Sequence, residues 1–171
     1  MASFQRNPEE WESLDWRLLL NGAISLYFDQ DVLSEDIAWF KQNGYQIYHF
    51  DCSQWTSEKA FHLDLKRTLS LPDYYNKNLD ALNDSLIDID VPTTSGCILQ
   101  FMRFDLFAEQ MPSVAQAMLD IIEGTSRRFL LTGQRLIAMV QSNDPRISFQ
   151  PVGACPVMWN PKEWQNSKRG I

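Results

Sequence analysis

The sequence is poor in cysteine, in long apolar runs and in positive charge. Its three cysteines, Cys52, Cys97 and Cys155, are odd in number and far apart, which argues against a disulfide framework. The longest stretch without a charged residue, 147–161, contains three prolines and is shorter than the roughly 20 apolar residues of a membrane span. Six charged residues interrupt the first 17 positions, so no secretory signal is visible and we expect a cytoplasmic protein.

The shortage of positive charge narrows the classes of partner. Fifteen basic residues against 22 acidic ones give a formal net charge of −7, which disfavours binding to a nucleic-acid backbone and favours a basic partner. No phosphate-binding glycine loop and no serine-nucleophile elbow is present, so we predict no catalytic residues and no cofactor. With 171 residues, 44% of them hydrophobic and 22% charged, the chain fits one folded domain with extensions.

What the sequence does contain is an alternation of helical and strand-like patterns. Asn21-Gly22 between two apolar runs predicts a hairpin of strands 16–20 and 23–28. Strand 23–28, a helix over 31–42 and a strand over 45–50 form a predicted βαβ unit, so the predicted fold class is α/β with a mostly parallel sheet. The remaining predicted elements are helices at 7–11, at 57–69 and from Pro112 to near Gly124, and strands at 97–102, 136–141 and 147–150.

The stretch 71–86, LPDYYNKNLDALNDSL, is the most informative part of the chain. Asn76 is a residue type that tolerates the left-handed backbone conformation. Asn78 is a good N-cap for a helix that follows it. In that helix three leucines recur at i, i+3 and i+7, which predicts a buried stripe formed by Leu79, Leu82 and Leu86.

Carboxylates recur on another face of the same predicted helix. Asp80, Asp84 and Asp88 are four residues apart, so neighbouring charges repel by roughly 0.2–0.5 kcal/mol per pair. Between residues 73 and 90, five acids stand against one base, Lys77, which gives a local net charge of −4. A helix that tolerates this repulsion is expected to keep its acids for a partner outside the fold, although a merely solvated face has the same pattern.

The stretch 71–86 resembles the barstar family of ribonuclease inhibitors, whose pattern is L-P-x-Y-Y-G-x-N-L-D-A-L-W-D-x-L. Two positions depart from it, because Asn76 stands where the pattern has Gly and Asn83 stands where it has Trp. The order of predicted elements over 45–141 also agrees with this family, whereas close residue matching is confined to 71–86. The positions that match the pattern are Leu71, Pro72, Tyr74, Tyr75, Asn78, Leu79, Asp80, Ala81, Leu82, Asp84 and Leu86.

The resemblance implies a barstar-like fold over 44–141, a small parallel sheet packed by helices. Residues 1–43 would be an N-terminal extension of helix, strands and helix, and residues 142–171 a C-terminal extension. The implied function is that of a non-catalytic inhibitor of a bacterial, barnase-like ribonuclease, of the immunity or antitoxin type. It would bind one basic ribonuclease, and neither nucleic acid nor a membrane. By position, the implied contact residues are Tyr74, Asn76, Asn78, Leu79, Asp80, Asn83 and Asp84.

Two other functions stay open at this point. A protein with the same fold can be an interaction module for a partner that is not a nuclease. Alternatively, Asp80 and Asp84 can serve as the carboxylate pair of a hydrolase. That second hypothesis is the weaker one, because the sequence offers no electrophile, metal-ligand set or glycine loop beside the pair.

Two groups of residues are of the types that bind metal ions. Asp88 and Asp90 begin like a calcium loop, but the Gly and Glu that such a loop needs do not follow. His49, Cys52 and His62 lack a fourth ligand and have the spacing of no common zinc site. We therefore predict no metal site.

Overall fold

A single five-stranded sheet forms the centre of the protein, whose computed structural model describes residues 8–170. The strands lie in the order β2-β3-β4-β1-β5, and each neighbouring pair is parallel. Their bounds are Ile24–Tyr27 for β1, Gln46–Asp51 for β2, Gly96–Met102 for β3, Arg135–Gln141 for β4 and Met158–Trp159 for β5.

Helices connect β1 to β2, β2 to β3 and β3 to β4, as parallel pairing requires, whereas an irregular segment, 142–157, leads from β4 to β5. In residues 8–170 no helix is both long enough and apolar enough to cross a bilayer. Asn7, the first residue of the predicted helix 7–11, lies outside the described residues. The helices are α1 Pro8–Trp11, α2 Leu14–Leu19, α3 Gln30–Gln42, α4 Glu58–Thr68, α5 Leu79–Ser85, α6 Phe104–Gln110 and α7 Pro112–Leu131, with 3-10 turns at Cys52–Gln54, Leu86–Asp88, Pro161–Glu163 and Ser167–Arg169.

The central strands bury side chains on both faces of the sheet, which is why they are almost continuously apolar. Along β4, Leu136, Ala138 and Val140 lie in one core, whereas Ile137 and Met139 lie in the other. The first core also contains side chains of α4, α5, α6 and α7, and the second contains those of α2 and α3. Helix α5 therefore packs on the face of the sheet that carries the first core.

The predicted α/β fold class is confirmed. Helix α3 joins two parallel strands as predicted, but β3 and β4 lie between β1 and β2 in the sheet. Strand β1 comes from the segment assigned to the N-terminal extension, and it pairs with β4 on one side and β5 on the other. The division of the chain into 1–43, 44–141 and 142–171 stays a prediction.

The predicted hairpin at Asn21-Gly22 is wrong, because the residues before it form helix α2 and not a strand. Leu14 and Leu18 are both buried in the second core, and their spacing of four is helical. Gly22 has a φ of +107°, and a Cβ there would lie 3.0 Å from the Cβ of Cys155. The glycine thus allows two chain segments to approach closely, and it forms no hairpin turn.

The predicted edge strand at 147–150 is also wrong, because a side chain takes the place of a neighbouring strand. Gln116 accepts a hydrogen bond from the backbone N of Gln150 at 3.0 Å and donates one to its carbonyl oxygen at 3.1 Å.

Helix α6 was not predicted, and α7 continues past Gly124. An isolated glycine costs a helix only about 1 kcal/mol, which the packing of the following turn outweighs.

The C-terminal segment is tied to the start of α3 by Glu163, which is fully buried. Its Oε1 accepts hydrogen bonds from the backbone N of Phe28 at 3.0 Å and of Asp29 at 2.9 Å. Its Oε2 accepts a third from the Asn166 side chain at 2.8 Å. This carboxylate therefore satisfies backbone donors that neither β1 nor α3 can satisfy itself.

We expect Glu163→Ala to lower the free energy of unfolding by about 2–3 kcal/mol, because two backbone N–H groups lose their acceptor. Urea denaturation measures this change. Glu109→Ala, which removes an exposed acid from α6, is the control and is expected to change stability by no more than about 0.5 kcal/mol. Equal effects of the two substitutions would contradict the structural role of Glu163.

Candidate functional site

Helix α5 begins where the sequence predicts it, after Asn78. The Asn78 backbone is extended, with φ −137° and ψ 170°, and its Oδ1 accepts a hydrogen bond from Ala81 N at 2.7 Å. Leu82 and Leu86 are each 1% exposed, and Leu79 is partly buried against the same core. The predicted cap and the predicted leucine stripe are confirmed, and together they fix which face of the helix remains in solvent.

Two carboxylates lie on the solvent side of α5. Asp80 and Asp84 are exposed, and within residues 8–170 no base lies within ion-pair distance of either one. Four residues of helix separate them by about 6 Å along the axis. Asn83, the position where the family pattern has Trp, is half-buried beside them. The helix thus presents two adjacent negative charges that no base of residues 8–170 neutralises.

The other acids of residues 73–90 differ in their partners. Asp73 pairs with Lys66 of α4 at 3.3 Å, and Asp88 accepts a hydrogen bond from the Tyr74 phenol at 3.1 Å. Asp90 is exposed and, like the two α5 carboxylates, has no ion pair among the residues that the structure describes. Intramolecular contacts therefore neutralise only part of this acidic segment, a name we use below for residues 73–90.

The loop before α5 is anchored by Tyr75, which points into the core. Its side chain is 3% exposed, its hydroxyl is hydrogen-bonded to Nδ1 of His62, and its ring lies 5.7 Å from the imidazole, centroid to centroid. Burial raises the pKa of the Tyr75 phenol. Tyr75 N also donates to the carbonyl oxygen of Pro72 at 3.0 Å, which closes a turn. The loop is therefore held against α4.

Within the stretch 71–78 the left-handed residue is Lys77 and not Asn76. Lys77 has a φ of +55°, whereas Asn76 is not among the residues of positive φ. The expectation drawn from Asn76 is thus wrong by one position. A left-handed backbone costs a residue with a Cβ roughly 1–2 kcal/mol, so the anchors on either side of Lys77 must hold it there. The only base of the acidic segment is consequently exposed beside the N-terminus of α5.

The residues considered as metal ligands do not form a site in the part of the chain that the structure describes. His49 is exposed, whereas Cys52 is buried, and burial raises the pKa of its thiol. His62 is engaged with Tyr75, and desolvation lowers the pKa of its imidazole while Glu58, 3.6 Å away, partly opposes that change.

Asp80 and Asp84 are exposed and line neither of two cavities in the described part of the chain. A cavity of about 620 Å³ is lined by residues of α6, α7 and the segment 144–150, and another of about 430 Å³ by residues around Trp16, Trp39 and Arg135. Neither contains a residue of α5. A carboxylate pair that acts as general acid and base works best in a site shielded from water, which these exposed side chains do not have.

The seven implied contact residues occupy one continuous loop and helix. Five of them are exposed, and Leu79 and Asn83 are half-buried. The bond between Tyr74 and Asp88 could not be predicted from the sequence, because nothing in the spacing of two residues fourteen apart indicates it. The exposed residues Tyr74 and Asn76 flank the buried Tyr75.

This fold and this surface define the class of the protein: an α/β protein with a parallel sheet and an acidic helix that faces solvent. A family model described as "Barstar (barnase inhibitor)" matches residues 45–141, more than half of the chain. The protein therefore belongs to the barstar family. The matched range contains β2, β3 and β4 together with α4 to α7, and its boundaries agree with the range over which the predicted order of elements agreed with this family.

Similarity to a curated protein supports the same family. The chain is 38% identical over 66 residues to "Putative ribonuclease inhibitor YrdF" of Bacillus subtilis (strain 168). The aligned part covers 38% of this chain and 68% of that protein.

Proposed function

We propose that this protein is a non-catalytic inhibitor of a ribonuclease, and that it occludes the active site of its target with residues 74–88. Membership of a family described as barnase inhibitors supports the proposal, as does the name of the Bacillus subtilis relative. The residues proposed to contact the target are Tyr74, Asn76, Asn78, Leu79, Asp80, Asn83 and Asp84.

The observation that carries the proposal is the exposure of Asp80 and Asp84 without an ion pair among the described residues. A ribonuclease must bind phosphate, so its active site is rich in Arg and Lys. A carboxylate can take the place of a phosphate oxygen and pair with an arginine through two parallel hydrogen bonds. Two carboxylates one helical turn apart therefore suit a cleft that binds successive phosphates.

The charge of the acidic segment also favours a basic target. Five acids and one base lie within residues 73–90. Of the acids, Asp80, Asp84 and Asp90 form no ion pair with any base among residues 8–170. Such a local field accelerates the diffusional encounter with a positively charged protein. Cytoplasmic location and one-to-one binding belong to the same proposal. The three free cysteines suit a reducing compartment.

A second candidate function rests on Asn83. The family pattern has Trp at this position, and an aromatic side chain is a frequent anchor of protein interfaces. Its replacement by a half-buried Asn favours an interaction module that uses the same fold to bind a protein without nuclease activity.

Inhibition of barnase by the purified protein tests the proposal. We expect a one-to-one complex that abolishes RNA cleavage, measured by calorimetry and by hydrolysis of a fluorogenic oligonucleotide. The association rate, measured by stopped flow, is expected to fall about tenfold or more when salt rises from about 20 mM to about 500 mM, because screening removes the electrostatic attraction. An unchanged rate, or full nuclease activity at saturating protein, would contradict the proposal.

A further inference from the structure

Two adjacent tyrosines of the loop before α5 are held in opposite directions. Tyr75 points inward to His62 and is 3% exposed, whereas Tyr74 is 65% exposed. Despite its exposure, Tyr74 has a defined partner, because its hydroxyl donates a hydrogen bond to Oδ2 of Asp88 at 3.1 Å. Tyr74 precedes the helix and Asp88 follows it, so this bond closes a loop of the chain around α5.

Asp88 differs in this respect from the two acids that precede it on the helix. Asp80 and Asp84 have no intramolecular ion pair among the described residues, whereas one carboxylate oxygen of Asp88 is occupied by the phenol. Asp88 lies four residues after Asp84, at the end of the 3-10 turn Leu86–Asp88 that follows α5. Asp88 therefore keeps the Tyr74 phenol near Asp80 and Asp84, the carboxylates that are proposed to bind the target.

We propose that Asp88 is a positioning residue, which holds the Tyr74 ring along α5 in the orientation that the target contacts. This inference rests on the proposed inhibitory function. An exposed tyrosine without this bond would sample several rotamers, and binding would have to order it. Beyond its share in the charge of the acidic segment, Asp88 thus contributes to the affinity of the complex through the orientation of Tyr74.

A measurement on the free protein tests the orientation first. Asp88 raises the pKa of the Tyr74 phenol through their hydrogen bond. In an NMR titration of ¹³Cζ-labelled tyrosine, with Tyr74→Phe identifying the signal, Asp88→Ala is expected to return the Tyr74 pKa toward its ordinary value of about 10. The Tyr74 ring is also expected to become more mobile in NMR relaxation. An identical titration and an identical ring mobility in Asp88→Ala would overturn the proposal.

Binding to barnase tests the consequence. We expect Asp88→Ala to weaken the complex about three- to tenfold, and Asp88→Asn, whose amide oxygen can still accept the bond, to bind within about twofold of wild type. Asp90→Ala is the matched control, because it removes an equal charge from an exposed acid of the same segment. Equal losses for Asp88→Ala, Asp88→Asn and Asp90→Ala would mean that charge alone acts, which would overturn the proposal.

A double-mutant cycle with Tyr74→Phe separates this inference from the proposed function. If Asp88 acts through Tyr74, the double variant that combines Tyr74→Phe with Asp88→Ala should have the same affinity for barnase as the single variant of lower affinity. Additive losses would contradict the positioning role while leaving inhibition intact. Failure of the wild-type protein to bind barnase would instead contradict the proposed function, and the titration of the free protein would still decide whether Asp88 orients Tyr74.

Discussion

Asp84→Ala is expected to weaken binding to the target ribonuclease by about 30-fold or more and to leave the fold intact. Asp84 is exposed and has no ion pair among the described residues, so the folded protein loses almost nothing when the carboxylate is removed. In the complex, its removal would leave a buried arginine or lysine of the nuclease unpaired, which typically costs about 2–5 kcal/mol. Calorimetry gives the affinity, and urea denaturation gives the stability.

Asp84 is a cleaner test than Asp80. Asp80 lies in the first turn of α5, where a negative charge interacts favourably with the helix dipole by about 0.3–1 kcal/mol. Asp80→Ala is therefore expected to lower both affinity and stability, whereas Asp84→Ala lowers affinity alone. This difference between the two variants separates the binding role from the local stability of the helix.

The matched control for Asp84→Ala is Glu12→Ala. Glu12 is an exposed acid, so its replacement changes the net charge by the same amount. It lies between α1 and α2, on the face of the sheet opposite to α5. We expect a change of less than about twofold in affinity and a small change in association rate. If the two variants weaken binding by similar factors, net charge and not the α5 surface governs the interaction, and the proposed contact set is wrong.

Leu82→Ala is expected to have the largest effect on stability among substitutions in α5. Leu82 is 1% exposed and belongs to the first core, where α5 packs against α7. Truncation of a buried leucine removes apolar contact and leaves a cavity, so the free energy of unfolding should fall by about 2–5 kcal/mol. Urea denaturation and the thermal midpoint both measure this loss.

Leu63→Ala is the matched control for Leu82→Ala, because Leu63 lies on α4 and is 43% exposed. We expect it to cost less than about 1 kcal/mol. Under conditions in which Leu82→Ala is still folded, its affinity for the nuclease should stay within a few-fold of wild type. A loss of affinity as large as that of Asp84→Ala would mean that the inner face of α5 also determines binding.

Local signals account for most of what sequence analysis predicted correctly in the site. Asn78 caps α5, Leu79 and Leu82 lie in it, and Leu86 begins the 3-10 turn that follows it, so each is recognisable from a few neighbouring residues. The prediction for Asn76 was wrong, because the residue of this loop that takes a positive φ depends on how Tyr75 is anchored to His62 in another helix. The contact set itself came from the family resemblance.

In the rest of the fold, the predictions were wrong at positions where segments that are distant in the sequence meet. Gly22 looked like a hairpin turn, but it allows the close approach of Cys155, more than 130 residues later. The segment 147–150 looked like a strand, but the Gln116 side chain meets its backbone. Apolar periodicity identifies strands and helices, whereas it contains no information about which long-range partner satisfies a given backbone group.

The sequence by itself determined that an acidic, leucine-striped helix follows Asn78 in an α/β protein, because caps and periodicity act over a few residues. Only the tertiary structure decided which acids remain free. Lys66 from α4 reaches Asp73, and Tyr74 reaches Asp88, whereas Asp80 and Asp84 have no base beside them within the described residues. The packing of α5 and its preceding loop on the first core sets these distances, and no local pattern specifies them.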